Sequence, residues 1–426
     1  MGKTVVIGAG VIGLACAYEL LKSGRDAHVF DRGKAGQACS AGNAGWVVPA
    51  MSAPIPAPGL VATSLRWMVR RDSPLYIRPR LDPPFAAWLW RFWRNCRAEP
   101  HRSGLNAVMA LNADTMRLFD AWRAEGLAFE MKQDGLLYAG LSDAAVGHAV
   151  ADIEQLSSFG YTPVERLSGA DLRDLEPGIS TRVAGGFLLP NERSVRPEQL
   201  TAALASAVIQ LGGAISENTE ITGARVVNGE ARAVETPEGA IECDSVLVAA
   251  GAWSGDVARQ FGVSLPIQAG KGYSITVDMK EPTVTRPIDL IEARVACTPF
   301  DGALRLAGTM ELSGQNLRLE PSRVAAIRRA GHAYLAGWPA GDDGRVWVGM
   351  RPLTPDGLPI IGRMPRLANV FVATGHAMLG VTLAPATARA LADAMLSAED
   401  STALTSFDAA RFSAGTRPGR SRSRSA

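Results

Sequence analysis

The chain has 426 residues, 20% charged and 47% hydrophobic, with a formal net charge of +2 at pH 7. That length exceeds one ordinary core and predicts two domains, while the composition excludes a disordered chain and the small net charge points to no class of partner. Five scattered cysteines without a CxxC pair exclude a disulfide framework, an iron–sulfur centre and a zinc site, so no metal is expected.

The N-terminal stretch is the most informative. Thr4-Val5-Val6-Ile7 is a β-branched run that feeds directly into Gly8-Ala9-Gly10-Val11-Ile12-Gly13. A helical pattern over residues 14–21 follows, then a second strand over 27–30 that ends at Asp31. Strand, glycine turn, helix, strand and acid in this order predict a site for an adenine dinucleotide. Gly8 permits the tight turn, Gly10 lets the backbone approach a pyrophosphate, and Gly13 lets helix and strand pack closely. The helix start at Val11 and Ile12 offers unpaired N–H donors to phosphate. Asp31 is placed to accept from ribose hydroxyls and to disfavour a 2′-phosphate. No secretory signal precedes this unit and no apolar run is long enough to span a bilayer. A cytoplasmic protein is therefore expected, with a peripheral place on the inner face of the membrane as the alternative.

Asp31-Arg32-Gly33-Lys34 leaves the second strand, and residues 37–45 are almost all small. Such a segment suits backbone running beside a flat ligand, with Ser40 and Asn43 able to donate to a pyrophosphate or a ring edge; an ordinary loop has the same composition. Four prolines between 49 and 58 mark an ordered loop or linker. Residues 65–71 and 85–94 then combine tryptophan with arginine. They read either as a helical segment whose rings are core or interface, or as an amphipathic surface resting on an anionic bilayer. The first is preferred because Trp88 and Trp90 cannot share one helical face. No nucleic-acid module accompanies the basic residues.

Helices are predicted over 106–125, 143–157, 171–176 and 197–211, the last with Pro197 in its first turn and Gly212-Gly213 beyond its end. Strands are predicted over 135–139 and 185–190. Residues 245–254 form a buried strand running into a glycine turn at Gly251-Ala252-Trp253, a second backbone approach to the same cofactor. Tyr273 alone reads as a packed ring with a satisfied hydroxyl. A strand over 303–309 and a helix over 321–334 follow.

In the last third, Gly349-Met350-Arg351-Pro352 opens a proline- and glycine-rich stretch reaching Gly362. The rigid turn holds one guanidinium in a fixed direction, suited to a carboxylate or to a structural salt bridge. A strand over 370–374 ends at Gly375-His376, and a helix begins at Gly380-Val381-Thr382, its N-terminus favouring negative charge. From about Gly415 the Arg/Ser/Gly/Pro-rich tail is expected to be disordered.

Taken together, Gly8 to Gly13, Ser40-Ala41-Gly42-Asn43-Ala44-Gly45, Ala250-Gly251-Ala252-Trp253-Ser254, Gly349 to Gly362 and Thr374-Gly375-His376 with Gly380 resemble the FAD-dependent D-amino acid oxidase superfamily. The resemblance is strongest to its bacterial D-amino acid dehydrogenase (small subunit) branch and spans nearly all of residues 1–400. It implies an α/β fold: a discontinuous Rossmann-like FAD-binding domain (1–60, 165–265, 345–410) and a second α+β substrate domain with a large mixed sheet (61–164, 266–344). The cofactor implied is non-covalent FAD. Arg32, Asn43, Ala44, Gly45, Gly251, Trp253, Gly349, Gly375 and the turn from His376 through Val381 to Thr382 are implied to surround it. Arg351 matches the arginine that pairs with substrate carboxylate. Tyr273 is placed near substrate, and His376 either donates to the flavin or fixes its turn.

The activity implied is oxidative deamination of a small amino acid of D configuration to an imino acid and then a 2-oxo acid. D-Proline or a hydroxyproline epimer is an alternative substrate, and a non-catalytic flavoprotein subunit is an alternative role. Electrons would pass to quinone or another carrier, or to oxygen. No nucleic-acid partner is expected, and homo- or hetero-oligomers both remain open. Ser194-Val195-Arg196 departs from the dehydrogenase pattern, which leaves the substrate's identity open.

Overall fold

The computed structural model describes residues 2–60, 75–161, 164–339, 341, 344–397 and 402–412. Its first sheet has six strands in the order Ala214–Ser216, Asp26–Phe30, Lys3–Ile7, Ser245–Val248, Val370–Thr374, Ile360–Arg363. The first five run parallel and the last is antiparallel. The three middle strands are almost continuously buried runs rich in valine, as expected for a parallel sheet covered on both faces. On one face, helices Val11–Lys22, Pro197–Gln210 and Gly380–Leu396 share a core that includes Leu14, Leu204 and Leu383. The other face packs against a three-stranded antiparallel sheet and the short helix Ser254–Gln260.

Close backbone contact explains the glycines of the first turn. Gly8 has φ +112°, and a Cβ there would strike the Ala249 carbonyl. One on Gly13 would strike the carbonyl of Gly8. Any side chain at either position pushes the first helix off the sheet.

The second sheet has nine strands and is mixed. Its central run is Arg345–Leu353, Gln268–Asp278, Ala303–Leu312, Val295–Phe300, Ile288–Leu290, Leu136–Gly140 and Gly185–Leu189. Side chains alternate between its faces. Tyr273, Ile275 and Val277 lie on one, buried with Val324, Ile327 and Tyr334 of helix Pro321–Tyr334. The other face looks toward the dinucleotide domain.

The domain limits implied by resemblance shift here. Leu167–Ser168, Gly185–Leu189 and Arg345–Leu353 all belong to the nine-stranded sheet. Gly185–Leu189 pairs residue for residue with Leu136–Gly140, so the chain returns to the first domain only after that ladder is complete. The helix expected over 106–125 is two helices, Ala98–Asn112 and Thr115–Ala124. In helix Pro83–Asn95, Phe85 and Trp88 are buried while Trp90 and Trp93 face outward. The Trp/Arg run at 65–71 and the tail from Gly415 lie outside the described residues. Among the described residues no helix is long and apolar enough to cross a membrane.

Candidate functional site

The first helix starts at Gly10, an extended residue (φ −75°, ψ 178°) with no side-chain cap and no acid in the first turn. The Val11 N–H donates to Ser40 Oγ at 3.0 Å. A Cβ built on Gly10 meets nothing nearer than that same hydroxyl, at 3.5 Å, so backbone is left open to an approaching phosphate. The N-terminus of helix Gly380–Leu396 lies beside it, since a Cβ on Gly380 would come within 3.9 Å of Val11 Cγ1. That second helix start also lacks a side-chain cap and a first-turn acid. The Val11 N–H, expected to be unpaired, is thus taken by Ser40; two positive helix ends nevertheless converge, an arrangement that favours an anion between them.

Asp31 is oriented by two backbone donors, Ala9 N–H at 2.8 Å and Gly33 N–H at 2.8 Å. The Arg32 guanidinium lies 3.9 Å from the centre of a Trp253 ring, giving a flat cationic platform at the same edge of the sheet. Gly251 is left-handed (φ +55°), and its carbonyl accepts from Thr374 Oγ1 at 3.1 Å, which ties this turn to the end of Val370–Thr374. Gly375 is also left-handed (φ +78°), and a Cβ there would press on Thr354.

The segment carrying Asn43, Ala44 and Gly45 is held between the domains. Asn43 Oδ1 accepts from Gly45 N–H at 2.7 Å. Thr298 Oγ1 donates to the Ala44 carbonyl at 2.7 Å and accepts from Trp46 Nε1 at 2.9 Å. Arg305 donates to the Ala41 carbonyl at 3.1 Å, the Asn43 carbonyl at 2.8 Å and Thr276 Oγ1 at 2.9 Å, and pairs with Glu198. From the dinucleotide domain, Thr382 Oγ1 donates to the Trp46 carbonyl at 3.0 Å and accepts from Val48 N–H at 3.2 Å. The loop is thus fixed from both sides.

Arg351 projects from the second sheet on the face turned to that loop. Its Nη1 donates to the Thr309 carbonyl at 2.8 Å, and among the described residues no carboxylate pairs with it. Burial lowers its pKa, partly offset by the nearby Cys39 thiol. The guanidinium nevertheless stays charged, so a partly buried cation faces the site without a counter-ion among the described residues. Glycines make room for it: Gly272 and Gly349 are register partners, a Cβ on Gly272 would occupy the guanidinium, and one on Gly349 would occupy the Trp347 indole. Cation and indole therefore meet over a bare patch of backbone.

The structure does not bring Tyr273 to this group. Strand alternation puts it on the opposite face from Arg351, where its hydroxyl donates to Glu311 Oε2 at 2.8 Å beside the Lys271–Glu311 ion pair. His376 is buried, and its Nε2 lies 3.0 Å from Thr387 Oγ1. Burial drives its pKa down to about 3, so the ring is neutral and braces the turn before Gly380. Sequence reasoning did not single out Arg305, Thr298, Trp46, Trp347 or Cys39. Only strand register reveals the first four as neighbours of the loop or of Arg351, and no local motif marks them.

An open glycine cradle at a helix start, an acid-ended second strand, paired positive helix ends and a guanidinium awaiting an anion fit FAD and define a two-domain FAD-dependent oxidoreductase. The chain belongs to the FAD dependent oxidoreductase family (DAO), which it matches over residues 3–394. It is 35% identical over 402 residues to a D-amino acid dehydrogenase of Cereibacter sphaeroides (strain ATCC 17029 / ATH 2.4.9), covering 92% of this chain and 91% of the relative. It is 32% identical to one of Rhizobium rhizogenes (strain K84 / ATCC BAA-868), covering 92% and 95%. The fold is similar to glycine oxidase from Geobacillus kaustophilus (TM-score 0.73, 21% identity, 96% and 99% covered). It is also similar to L-proline dehydrogenase from P. horikoshii (TM-score 0.71, 20% identity, 96% and 97% covered). When bound, FAD supplies a two-electron acceptor for hydride.

Proposed function

We propose that the protein oxidises D-amino acids at the α-carbon, giving an imino acid that water converts to a 2-oxo acid and ammonia. The observation that carries this reading is Arg351: a partly buried guanidinium beside Cys39, with no carboxylate partner among the described residues. A substrate carboxylate taken by this group gains charge-assisted hydrogen bonds and a fixed orientation. The relatives named D-amino acid dehydrogenase support the substrate class. No side-chain base is required when the amine binds neutral, because the α-hydrogen leaves with its electron pair. With FAD bound, the helix start at Gly380 would favour negative charge developing beside it.

The test is anaerobic loss of flavin colour, screened with both enantiomers of common amino acids, proline and sarcosine. Rapid bleaching by D-amino acids is expected. Arg351→Ala should raise the substrate concentration for half-maximal bleaching by about 100-fold, in line with truncating one partner of a buried charge pair, while the FAD content of the purified protein stays near one per chain. Equal loss of FAD, or unchanged substrate dependence, overturns the role given to Arg351.

The electron acceptor in this reading is a quinone or similar carrier at a membrane surface. Helix Pro83–Asn95 supports it: Trp90 and Trp93 are 54% and 57% exposed, and Arg91 and Arg94 have no acidic partner among the described residues. Reoxidation of the bleached enzyme faster by a soluble quinone than by dissolved oxygen is the expected result.

A further inference from the structure

On the sheet face that bears Arg351, the register defines one cross-strand row: Trp347, Ser274, Ala307, Ala296, Asp289, Tyr138. Between Trp347 at one end and Asp289 at the other, the side chains are one serine and two alanines. Ser274 Oγ is buried and has no hydrogen-bond partner. The row is therefore lined by small side chains, Ser274 and Ala307 buried and Ala296 partly exposed, with the Arg351 guanidinium above Gly272 at its near end.

The far end is electronegative. Asp289 is partly exposed, and its carboxylate makes no hydrogen bond or ion pair with any described residue. Burial raises its pKa to about 6; Arg294, exposed on the adjoining turn, pulls the other way and Glu292 adds to the rise. Glu192 lies on the same side, 1% exposed, with Oε1 accepting from Tyr161 Oη at 3.0 Å and Ala50 N–H at 3.3 Å. Its Oε2 is buried with no partner. Burial lifts this carboxyl to about 7. The Tyr138 hydroxyl, between them in charge influence, is held neutral by burial first and then by Asp289 and Glu192. Trp46 packs against the same cluster as Tyr138, adding an aromatic flank. Two carboxyls so placed stand short of a cation, as Arg351 stands short of an anion.

We propose that the substrate is an amino acid with a cationic side chain, its carboxylate held by Arg351 and its distal cation held by Asp289, with Glu192 and Tyr138 behind it. The idea rests on the amino acid reading above and adds the identity of the side chain. Dimensions agree. The guanidinium over Gly272 and the Asp289 position are three strand spacings and one residue pair apart, roughly 15 Å by sheet geometry. A lysine- or arginine-like molecule spans roughly 8 Å from carboxylate to terminal nitrogen by ordinary bond lengths. Two charge-assisted contacts of roughly 3 Å each complete the distance. Ala307 and Ala296 add the least side-chain bulk to the span between the two ends.

The test uses the FAD-loaded enzyme and two ligands that cannot be oxidised at an α-amine: 6-aminohexanoate, with a carboxylate and a distal cation, and hexanoate, with the carboxylate alone. Binding is read at equilibrium from the perturbation of the flavin absorption band. The expected result is that 6-aminohexanoate binds at least tenfold more tightly than hexanoate at pH 8, and that Asp289→Asn collapses this ratio toward one. Glu192→Gln serves as the second variant and should reduce the ratio several-fold. Equal binding of the two ligands to the unmodified enzyme overturns the proposal without requiring any variant to fold. An unchanged ratio in Asp289→Asn also overturns it. Anaerobic bleaching by D-lysine, D-norleucine and D-alanine separates the two readings. Bleaching by all three at matched concentrations sinks the cationic specificity and leaves amino acid oxidation standing. No bleaching with a tenfold binding ratio sinks the oxidation of D-amino acids and leaves the double-ended site.

Discussion

Buried carboxyls at the far end of the row make the molecule's stability depend on pH. Glu192 has its carboxyl raised by burial to about 7, partly offset by hydrogen bonds from Tyr161 and Ala50. The native state therefore holds a proton that the unfolded chain releases near the usual glutamate range. Between about pH 4.5 and 7 the native state binds more protons, so stability falls as pH rises through that window and stays lower above it. Asp289 acts in the same direction, with its carboxyl raised to about 6. Thermal midpoints of the protein should therefore drop between pH 5 and pH 8. Glu192→Gln keeps an acceptor for Tyr161 and removes the titration, so its drop should be smaller by roughly 1–3 kcal/mol of unfolding free energy, the scale of a one- to two-unit shift. An identical pH profile in the variant means that Glu192 already carries a compensated charge when native. A lysine-like ligand should oppose the same drop, because a cation beside Asp289 favours the ionised form.

At the scale of elements, helix Pro83–Asn95 is built to present two unlike faces. Asp82 caps it by accepting from Phe85 N–H at 3.0 Å, and proline occupies its first turn. Phe85 and Trp88 turn inward onto Leu312 and Leu353, while Trp90 and Trp93 turn out with Arg91 and Arg94. The Arg94 guanidinium lies 4.8 Å from the centre of the Trp90 ring, so cation and indole form one patch. Indoles beside arginines that have no acidic partner among the described residues suit the headgroup layer of an anionic bilayer, where each arginine contributes about 1 kcal/mol. The full-length protein should co-sediment with vesicles of 30% phosphatidylglycerol in phosphatidylcholine and much less with phosphatidylcholine alone. Arg91→Glu with Arg94→Glu should weaken that binding at least tenfold and leave anaerobic bleaching intact. Equal sedimentation of both proteins removes this helix from the interface.

The contrast between Trp88 and Trp90 was legible in the sequence because it depends only on helical spacing. The first unit, Thr4 to Asp31, was legible for the same reason: its turn, helix start and acid are local features. The placement of Gly185–Leu189 was not, because a buried strand reads alike whichever sheet accepts it, and its partner lies some fifty residues earlier. Tyr273 shows a subtler limit. Its proximity to Arg351 in register is real, yet side-chain alternation sends the two to opposite faces.

At the scale of the whole molecule, the two domains meet through a loop that belongs to one and is gripped by the other. Arg305 stands on the second sheet and reaches two carbonyls of the first domain's loop, at Ala41 and Asn43, as well as Glu198 at the start of helix Pro197–Gln210. Its side chain is almost wholly buried, and the bond to the Ala41 carbonyl is made away from water. Gly8 to Asp31 would hold the adenosine half of FAD, and among the described residues no hydrogen bond joins Arg305 to them. The flavin half would lie beside Asn43 to Gly45, on a loop whose backbone Arg305 holds in place. The consequence is a split that a general loss of folding cannot mimic. Arg305→Met should weaken FAD binding about 10- to 100-fold, the range set by losing hydrogen bonds from a charged donor at roughly 1.5–3 kcal/mol. ADP, measured as a competitor, should bind as before. Arg305→Lys restores the charge near Glu198 but not the fork that reaches two carbonyls at once, so its FAD affinity should fall between the other two. Parallel loss of ADP and FAD would show that Arg305 supports the first domain as a whole, and not the position of its loop against the second sheet.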